Sequence, residues 1–148
     1  MRLTRYTDYS LRVLMYLGAR PDRLARIGEI SEAYGISRNH LMKVVQDLVR
    51  LGFVTSVRGR KGGIRLARAP QEINVGAVVR ATEDSFQVAP CETCVIAPAC
   101  GLKCALDEAV RAFLAVLDTY TLATLPARQL ALTDIFPQPG GGRDGRSV

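Results

Sequence analysis

The spacing of apolar residues along the chain predicts a mostly helical protein. In the stretch DYSLRVLMYLGA the apolar residues fall on one face of a helix, with Thr7 as the expected N-cap and Gly18 near its end. Asp8 falls in the first turn of this helix, where a carboxylate suits the positive end of the helix dipole. These features predict a first amphipathic helix close to the N-terminus.

Two further helical patterns follow a loop. The stretch IGEISEAYG predicts a short helix that stops at Gly35. The stretch SRNHLMKVVQDLVRLG predicts a longer helix, with Ser37 as its cap and apolar residues at three- and four-residue spacing. Two such helices joined by a tight turn that contains glycine are typical of a helix-turn-helix.

A β-hairpin is expected next. The stretches FVTSV and IRLA are rich in apolar and β-branched residues, and RGRKGG between them supplies glycines for a tight reversal. A helix-turn-helix followed by a hairpin is the order of a winged helix. The fold expected from these patterns is mostly α with one small β-hairpin.

A long helix is expected in the second half of the chain. After a short helix VGAVVRATE capped by Asn74, apolar residues within 102–120 recur at alternating spacings of four and three. Such a stripe packs along its length against another helix, either the first helix or the same helix of a second subunit. The remaining segment, 126–148, is a C-terminal tail. Its end, PQPGGGRDGRSV, is rich in Pro, Gly and charge and is expected to be disordered.

The positive charge of the chain is concentrated in one block. The formal net charge is +6. Between Ser37 and Arg68 there are eight basic residues and a single acid, Asp47, so this segment carries +7 and the remainder carries −1. A local basic block predicts contact with a polyanion such as DNA, and the alternative is a solvated surface rich in arginine.

The candidate DNA contacts lie on the second helix of the helix-turn-helix and at the tip of the hairpin. The first residues of that helix reach base edges, where Arg pairs with guanine and Asn with adenine. The tip could enter the minor groove or follow phosphates, or be only a solvated turn; it lacks the Lys-Ser/Thr pair of a P-loop. The candidates are Ser37, Arg38, Asn39, His40, Lys43, Arg58, Arg60, Lys61, Gly62 and Gly63.

Other classes of protein are disfavoured. The N-terminal stretch lacks the apolar region of a signal peptide and no run is apolar enough to cross a membrane, so a cytoplasmic location is expected. With a single His and no Ser/His/Asp set or paired acids, no enzymatic activity is expected. One winged helix contacts one half-site, so a homodimer on a double-stranded operator is expected, joined through the long helix.

All four cysteines lie within the stretch CETCVIAPACGLKC, at positions 91, 94, 100 and 104. A disulfide framework is the least expected use, because cytosolic thiols stay reduced. A four-thiolate zinc site, a CxxC redox couple and an iron–sulfur cluster remain open. Three cysteines in a loop that enters a helix can wrap one face of a cluster, which leaves its remaining site for another ligand.

Four stretches together carry a specific resemblance. MRLTRYTDYSLRVLMYL, GISRNHLMKVVQDLVRLGFVTSVRGRKGGIRLA, INVGAVVRATE and CVIAPACGLKCALDEAVRAFLAVLDTYTLATL are similar to the IscR/NsrR family of winged-helix regulators, and within it to the nitric-oxide-sensing repressors. The resemblance implies a homodimeric repressor with one iron–sulfur cluster per subunit, [4Fe-4S] in preference to [2Fe-2S]. It also implies that nitric oxide releases the DNA and so derepresses genes for nitric-oxide detoxification and nitrosative stress.

The resemblance also implies a ligand set. Cys94 and Cys100 flank VIAPA as the last two cluster cysteines of the family do, and Cys91 stands for the first, after a gap shorter than is usual in the family. Asp8 occupies the place of a fourth ligand donated across the dimer. Cys104 is the reserve fourth ligand.

This interpretation divides the chain into a winged helix-turn-helix domain, 1–84, a cysteine-rich cluster-binding loop, 85–101, a dimerisation helix, 102–125, and the tail. One alternative is a regulator of the same family that senses iron–sulfur status or oxygen. An alternative from another class is a structural or adaptor protein stapled by zinc.

Overall fold

The computed structural model describes residues 2–125 and residue 135. Within this part the chain forms five α-helices and one two-stranded antiparallel sheet. The elements are α1 (Arg5–Gly18), α2 (Ile27–Tyr34), α3 (Arg38–Arg50), β1 (Val54–Val57), β2 (Gly63–Leu66), α4 (Val75–Thr82) and α5 (Leu102–Asp118). The mostly helical winged-helix architecture expected from the sequence is therefore confirmed, while the expected tail lies outside the described residues except for residue 135.

Helix α1 begins earlier than the sequence pattern predicted. Its N-cap is Thr4, whose hydroxyl accepts a hydrogen bond from the backbone N–H of Thr7 at 3.2 Å. The expectation that Thr7 caps the helix is wrong, because Thr7 lies inside the first turn and is buried. Two threonines three residues apart offer equivalent capping chemistry, and packing decides between them.

Helices α1, α2 and α3 enclose the main core. The apolar positions of α3 that set its helical period, Leu41, Val44, Val45 and Leu48, are all buried. Gly35 ends α2 with a φ of 64°, as its position predicted. Ser37 occupies the N-cap position of α3, but its side chain makes no capping hydrogen bond.

The wing is the β1–β2 hairpin, with Val54 opposite Leu66 and Val57 opposite Gly63. The segment before α2 joins this sheet through Ala25, which exchanges both backbone hydrogen bonds with Ile64 at 2.8 and 2.9 Å. At the tip a Cβ on Gly62 would overlap with the carbonyl oxygen of Val57. Only glycine fits at this position, so the turn depends on it.

Helix α5 packs on α4 and is fixed there at its C-terminal end. The Asn74 side chain caps α4 by accepting from Ala77 N at 2.9 Å, and its amide donates to the Asp118 carbonyl at 2.7 Å. Arg80 forms two parallel hydrogen bonds to the Asp118 carboxylate at 2.6 and 2.7 Å. No residue of α5 is buried in the single chain.

The apolar stripe of α5 is largely exposed to solvent. Leu102, Val116 and Tyr120 are 57, 58 and 43 % exposed. Among the described residues no helix is long and apolar enough to cross a membrane.

Candidate functional site

The N-terminal half of α3 presents the predicted base-reading residues to solvent. Its flanking turn and first residues are exposed, namely Ser37, Arg38, Asn39, His40 and Lys43. The apolar face of α3 packs inward, and this orientation directs the polar face outward. The structure therefore exposes every predicted residue at the start of this helix.

Two of these residues are turned towards neighbouring helices. The Arg38 guanidinium lies 3.7 Å from the Glu32 carboxylate of α2 and covers Gly28. The His40 ring lies 6.4 Å, centroid to centroid, from the Tyr9 ring of α1. To bind guanine, Arg38 has to leave an exposed ion pair, a type that contributes little to stability.

Helix α3 is held against α1 by a partly buried hydrogen bond at Asp47, the single acid of the basic block. The Tyr6 hydroxyl donates to Asp47 Oδ2 at 3.0 Å, and Arg50 donates to Asp47 Oδ1 at 2.9 Å. These two hydrogen bonds, Arg50 first, lower the pKa of the Asp47 carboxyl. Burial and the contact with Asp47 raise the pKa of Tyr6 to about 12. The charge of Asp47 is thus engaged within the protein, which leaves the basic surface with few opposing charges.

The tip of the wing carries the second group of predicted contacts. Arg58, Arg60 and Lys61 are exposed, while Gly62 and Gly63 are half-buried in the turn. None of these three cations forms an ion pair within residues 2–125. They are therefore available to phosphates.

Sequence reasoning missed two exposed residues on the outer face of α3. Met42 is 47 % exposed, and Gln46 is exposed one turn later. Both lie three residues from an identified candidate, Asn39 and Lys43 respectively, which places them on the same helical face. That spacing was the signal that would have found them.

Three of the four cysteines line one cavity of about 330 Å³ beside the start of α5. Cys91 and Cys100 are half-buried there and Cys94 is exposed. Two short 3-10 turns, Cys91–Thr93 and Ala97–Ala99, fold the loop around the cavity. All the thiols are free. Thiolates are the usual ligands of iron–sulfur clusters, so the donor chemistry of this cavity fits such a group.

The other two predicted ligands lie elsewhere. Cys104 is exposed on the first turn of α5 and does not line the cysteine cavity. Asp8 is on α1, also outside that cavity. Within residues 2–125 no three His, Cys, Asp or Glu side chains are placed closely enough to hold a single metal ion. One chain therefore gathers three thiols around a common volume and supplies no fourth donor there.

The Asp8 carboxylate is held by its own helix. Arg12, one turn later, donates to Asp8 Oδ1 at 3.0 Å, and both side chains are 43 % exposed. The Arg12 guanidinium also lies 5.7 Å from the centre of the Tyr34 ring of α2. Asp8 is thus a partly exposed carboxylate whose one ion pair within residues 2–125 is with Arg12.

The cysteine-rich loop begins at a point tied to the start of α1. Glu83, just after α4, accepts from the backbone N–H and the hydroxyl of Thr4 at 2.7 and 3.0 Å. Burial opposes ionisation of Glu83, but hydrogen bonds from Thr7 and Thr4 outweigh it and lower the pKa of the carboxyl. The segment that leads to the cysteines is therefore anchored four residues before Asp8.

Comparison with known proteins identifies the family. The model of the Rrf2 family, described as iron-dependent transcriptional regulators, matches residues 3–128. The HTH-type transcriptional regulator NsrR of Bacillus subtilis (strain 168) is 56 % identical over 131 residues, which cover 84 % of this chain and 90 % of that protein. The HTH-type transcriptional regulator NsrR of Geobacillus kaustophilus (strain HTA426) is 46 % identical and covers 95 % of this chain and 100 % of its own length.

The fold agrees with a solved structure of a regulator. The structure of T. potens IscR superposes with a TM-score of 0.69 at 27 % identity, over 83 % of this chain and 84 % of that one. These relatives are regulators and not enzymes, which confirms the expectation of no catalytic activity and disfavours an adaptor protein. The resemblance drawn from the sequence is thereby confirmed, and the chain belongs to the Rrf2 family of transcriptional regulators.

Proposed function

We propose that this regulator is a homodimeric, cytoplasmic repressor that binds double-stranded DNA and releases it when an iron–sulfur cluster reacts with nitric oxide. The genes it controls are those for nitric-oxide detoxification and nitrosative stress. Family membership supports regulation of transcription, and the similarity to NsrR proteins supports the choice of signal.

The proposal for DNA binding rests on two exposed basic surfaces of one domain. The start of α3 reads bases in the major groove, with Asn39 suited to adenine and Arg38 to guanine once it leaves Glu32. The wing tip follows phosphates or the adjoining minor groove with Arg58, Arg60 and Lys61, which the tight turn at Gly62 holds at the end of the hairpin. The remaining proposed DNA contacts are Ser37, His40, Lys43 and Gly63.

The proposal for the cofactor assigns Cys91, Cys94 and Cys100 as three ligands and Asp8 of the partner subunit as the fourth. When bound, a cluster supplies iron that reacts with nitric oxide, and three thiols that share one cavity suit its ligation. The preference for [4Fe-4S] over [2Fe-2S] rests on the resemblance to the nitric-oxide-sensing repressors alone. Asp8 belongs to the other subunit in this assignment, since it lies outside the cavity of its own chain. Cys104 remains the reserve ligand.

Dimerisation is assigned to α5 within the segment 102–125. Its exposed apolar stripe has no partner within the described part of the chain, and a second copy of the same helix covers it in the expected manner. The winged helix-turn-helix within 1–84 and the loop 85–101 complete the proposed organisation.

The single observation that carries the proposal is the cavity that contains three cysteines and excludes the fourth. The test is to purify the protein without oxygen, record its visible absorption and iron content, and add nitric oxide in steps. Binding to a duplex selected by the protein itself from a random library is measured in the same samples.

The expected result is a coloured, iron-containing protein whose spectrum and DNA affinity change together as nitric oxide is added. A zinc-containing, colourless protein would overturn the cofactor assignment and favour a structural thiolate site. A coloured protein whose DNA affinity ignores nitric oxide but responds to oxygen or to cluster loss would support the alternative, a sensor of redox or iron–sulfur status.

A further inference from the structure

A further basic site, in addition to the two basic surfaces described above, lies where α1 meets α3. We propose that Arg5 of α1, together with His40 and Lys43 of α3, binds a phosphate of the DNA backbone beside the groove that α3 enters. This inference rests on the proposed DNA binding and adds a contact from the first helix, which none of the sequence patterns indicated.

The site is a cavity of about 210 Å³ between the two helices. It is lined by Tyr6, Tyr9 and Val44, with Arg5 from one helix and His40 and Lys43 from the other. The surface of the cavity is mainly apolar, whereas Arg5, His40 and Lys43 are exposed to solvent. The cations of Arg5 and Lys43, which come from two helices that border this cavity, suit a single compact anion at its mouth.

The charges of this site are free to act on a ligand. Within the described part of the chain neither Arg5 nor Lys43 forms an ion pair, whereas Arg12, Arg38 and Arg50 are each paired with a carboxylate. Asp47 lies near the site, but its carboxylate is engaged by Tyr6 and Arg50. The site therefore keeps a net positive charge.

The orientation of His40 favours a phosphate over a base edge. Its ring is drawn towards Tyr9 at 6.4 Å, on the side of α3 that faces α1. Asn39 precedes it on α3, about 100° around the helix axis, on a different side of the helix. Phosphate contacts fix the register of a protein on the duplex and do not discriminate sequence. The same is expected of this site.

The test uses the full-length, cluster-containing protein and two duplexes, one selected from a random library and one scrambled to the same composition. The dependence of binding on salt is measured for the wild type, Arg5→Ala, Arg5→Lys and His40→Ala. Arg111→Ala is the matched control, since it removes an exposed arginine from α5. Iron content is checked for every variant.

The Arg5→Ala variant is expected to lower the slope of log affinity against log salt by about 0.9, as for one lost phosphate contact, and to weaken both duplexes by the same factor. Arg5→Lys should restore the slope, and Arg111→Ala should leave it unchanged. An Arg5→Ala slope equal to that of the wild type, or a loss confined to the selected duplex, would overturn the inference. If the wild type binds neither duplex, the proposed function itself fails.

Discussion

Gly76 of α4 lies directly against the carboxylate of Asp118 at the end of α5. A Cβ added at Gly76 would overlap with Asp118 Oδ1 and approach Arg80 Nη1 to 2.9 Å. The absence of a side chain at this position lets Asp118 and Arg80 pair across the two helices. The attachment of the long helix to the winged helix therefore depends on one glycine.

Gly76→Ala tests this attachment. In the wild-type background the new methyl group is expected to lower the free energy of unfolding by about 1–3 kcal/mol, because it displaces the Asp118 carboxylate. In an Asp118→Ala background the clash is gone, and the same change is expected to stabilise by up to ~1 kcal/mol, because alanine favours a helix over glycine. Urea unfolding of the four proteins in this cycle measures both values, and equal effects in the two backgrounds would contradict the contact.

The cysteine cavity predicts unequal effects of four similar substitutions. Replacement of Cys91, Cys94 or Cys100 by Ser is expected to remove most of the bound iron, since each thiol lines the cavity. Cys104→Ser is the matched control and should retain iron, because its thiol lies outside the cavity. Iron and sulfide analysis of anaerobically purified proteins measures the difference. Iron retained after Cys91→Ser and lost after Cys104→Ser would reverse the assignment.

The proposed donation of Asp8 across the dimer is tested with mixed dimers. One chain carries Asp8→Ala with intact cysteines, and the other carries Cys94→Ser with intact Asp8. The intact cysteine site then receives an intact Asp8 from its partner, so the spectrum per cluster should equal that of the wild type. The Asp8→Ala homodimer should differ from it.

Arg12→Ala is the control for the charge around Asp8, since it breaks the ion pair at 3.0 Å and keeps the carboxylate. Mixed dimers that share an altered spectrum with the Asp8→Ala homodimer would place the ligand within the same subunit. An Asp8→Ala homodimer with the wild-type spectrum would place the ligand on another residue, such as Cys104.

Two neighbouring positions on α5 test the proposed dimer interface. Val116 lies on the exposed apolar stripe, and Ala115 is exposed about 100° away around the helix. Val116→Asp is expected to convert the dimer to a monomer, because a carboxylate in an apolar helix interface loses its hydration. Ala115→Asp should remain dimeric. Sedimentation over a range of concentrations measures the oligomeric state of both variants. A dimeric Val116→Asp protein would place the interface elsewhere.

The hydrogen bonds to Glu83 predict a pH-dependent contribution to stability. They lower the pKa of this carboxyl below its ordinary value of about 4.3, so ionised Glu83 stabilises the fold above that pH. The contribution is lost as the pH falls through the lower, folded-state pKa. The stability difference between wild type and Glu83→Gln should therefore be constant near neutral pH and shrink below about pH 4.5.

Urea unfolding of the metal-free protein at several pH values measures this difference. Glu108→Gln serves as the control, because Glu108 is exposed on α5 and forms no hydrogen bond within residues 2–125. If the difference in free energy of unfolding between wild type and Glu83→Gln does not depend on pH, the ionised form of Glu83 adds no stability through its hydrogen bonds with Thr4 and Thr7.

The parts of the fold that sequence reasoning predicted are those governed by local chemistry. The period of α3, the stop at Gly35 and the turn at Gly62 each depend on residues a few positions apart. The N-cap of α1 was misplaced because Thr4 and Thr7 have the same chemistry, and the contact of Thr4 with Glu83, 79 residues away, is tertiary.

The relationships within the candidate site were less predictable for the same reason. The sequence pattern showed that Cys91, Cys94 and Cys100 are near each other along the chain, but their shared cavity depends on two 3-10 turns that carry no strong signal. The ion pair of Arg38 with Glu32 and the contact of His40 with Tyr9 arise from helix packing. Apolar periodicity predicts which face is buried and does not predict which polar side chains meet.

The two ends of α5 contact different parts of the molecule, so the helix can transmit a rotation at one end to the other as a lever. Its 17 residues span about 25 Å, with the cysteine cavity at one end and the Arg80–Asp118 attachment at the other. With an arm of that length, a tilt of about 5° at the attachment displaces the cysteine end by about 2 Å. Conversely, a small rearrangement of the loop demands a change of only a few degrees in the angle between α4 and α5.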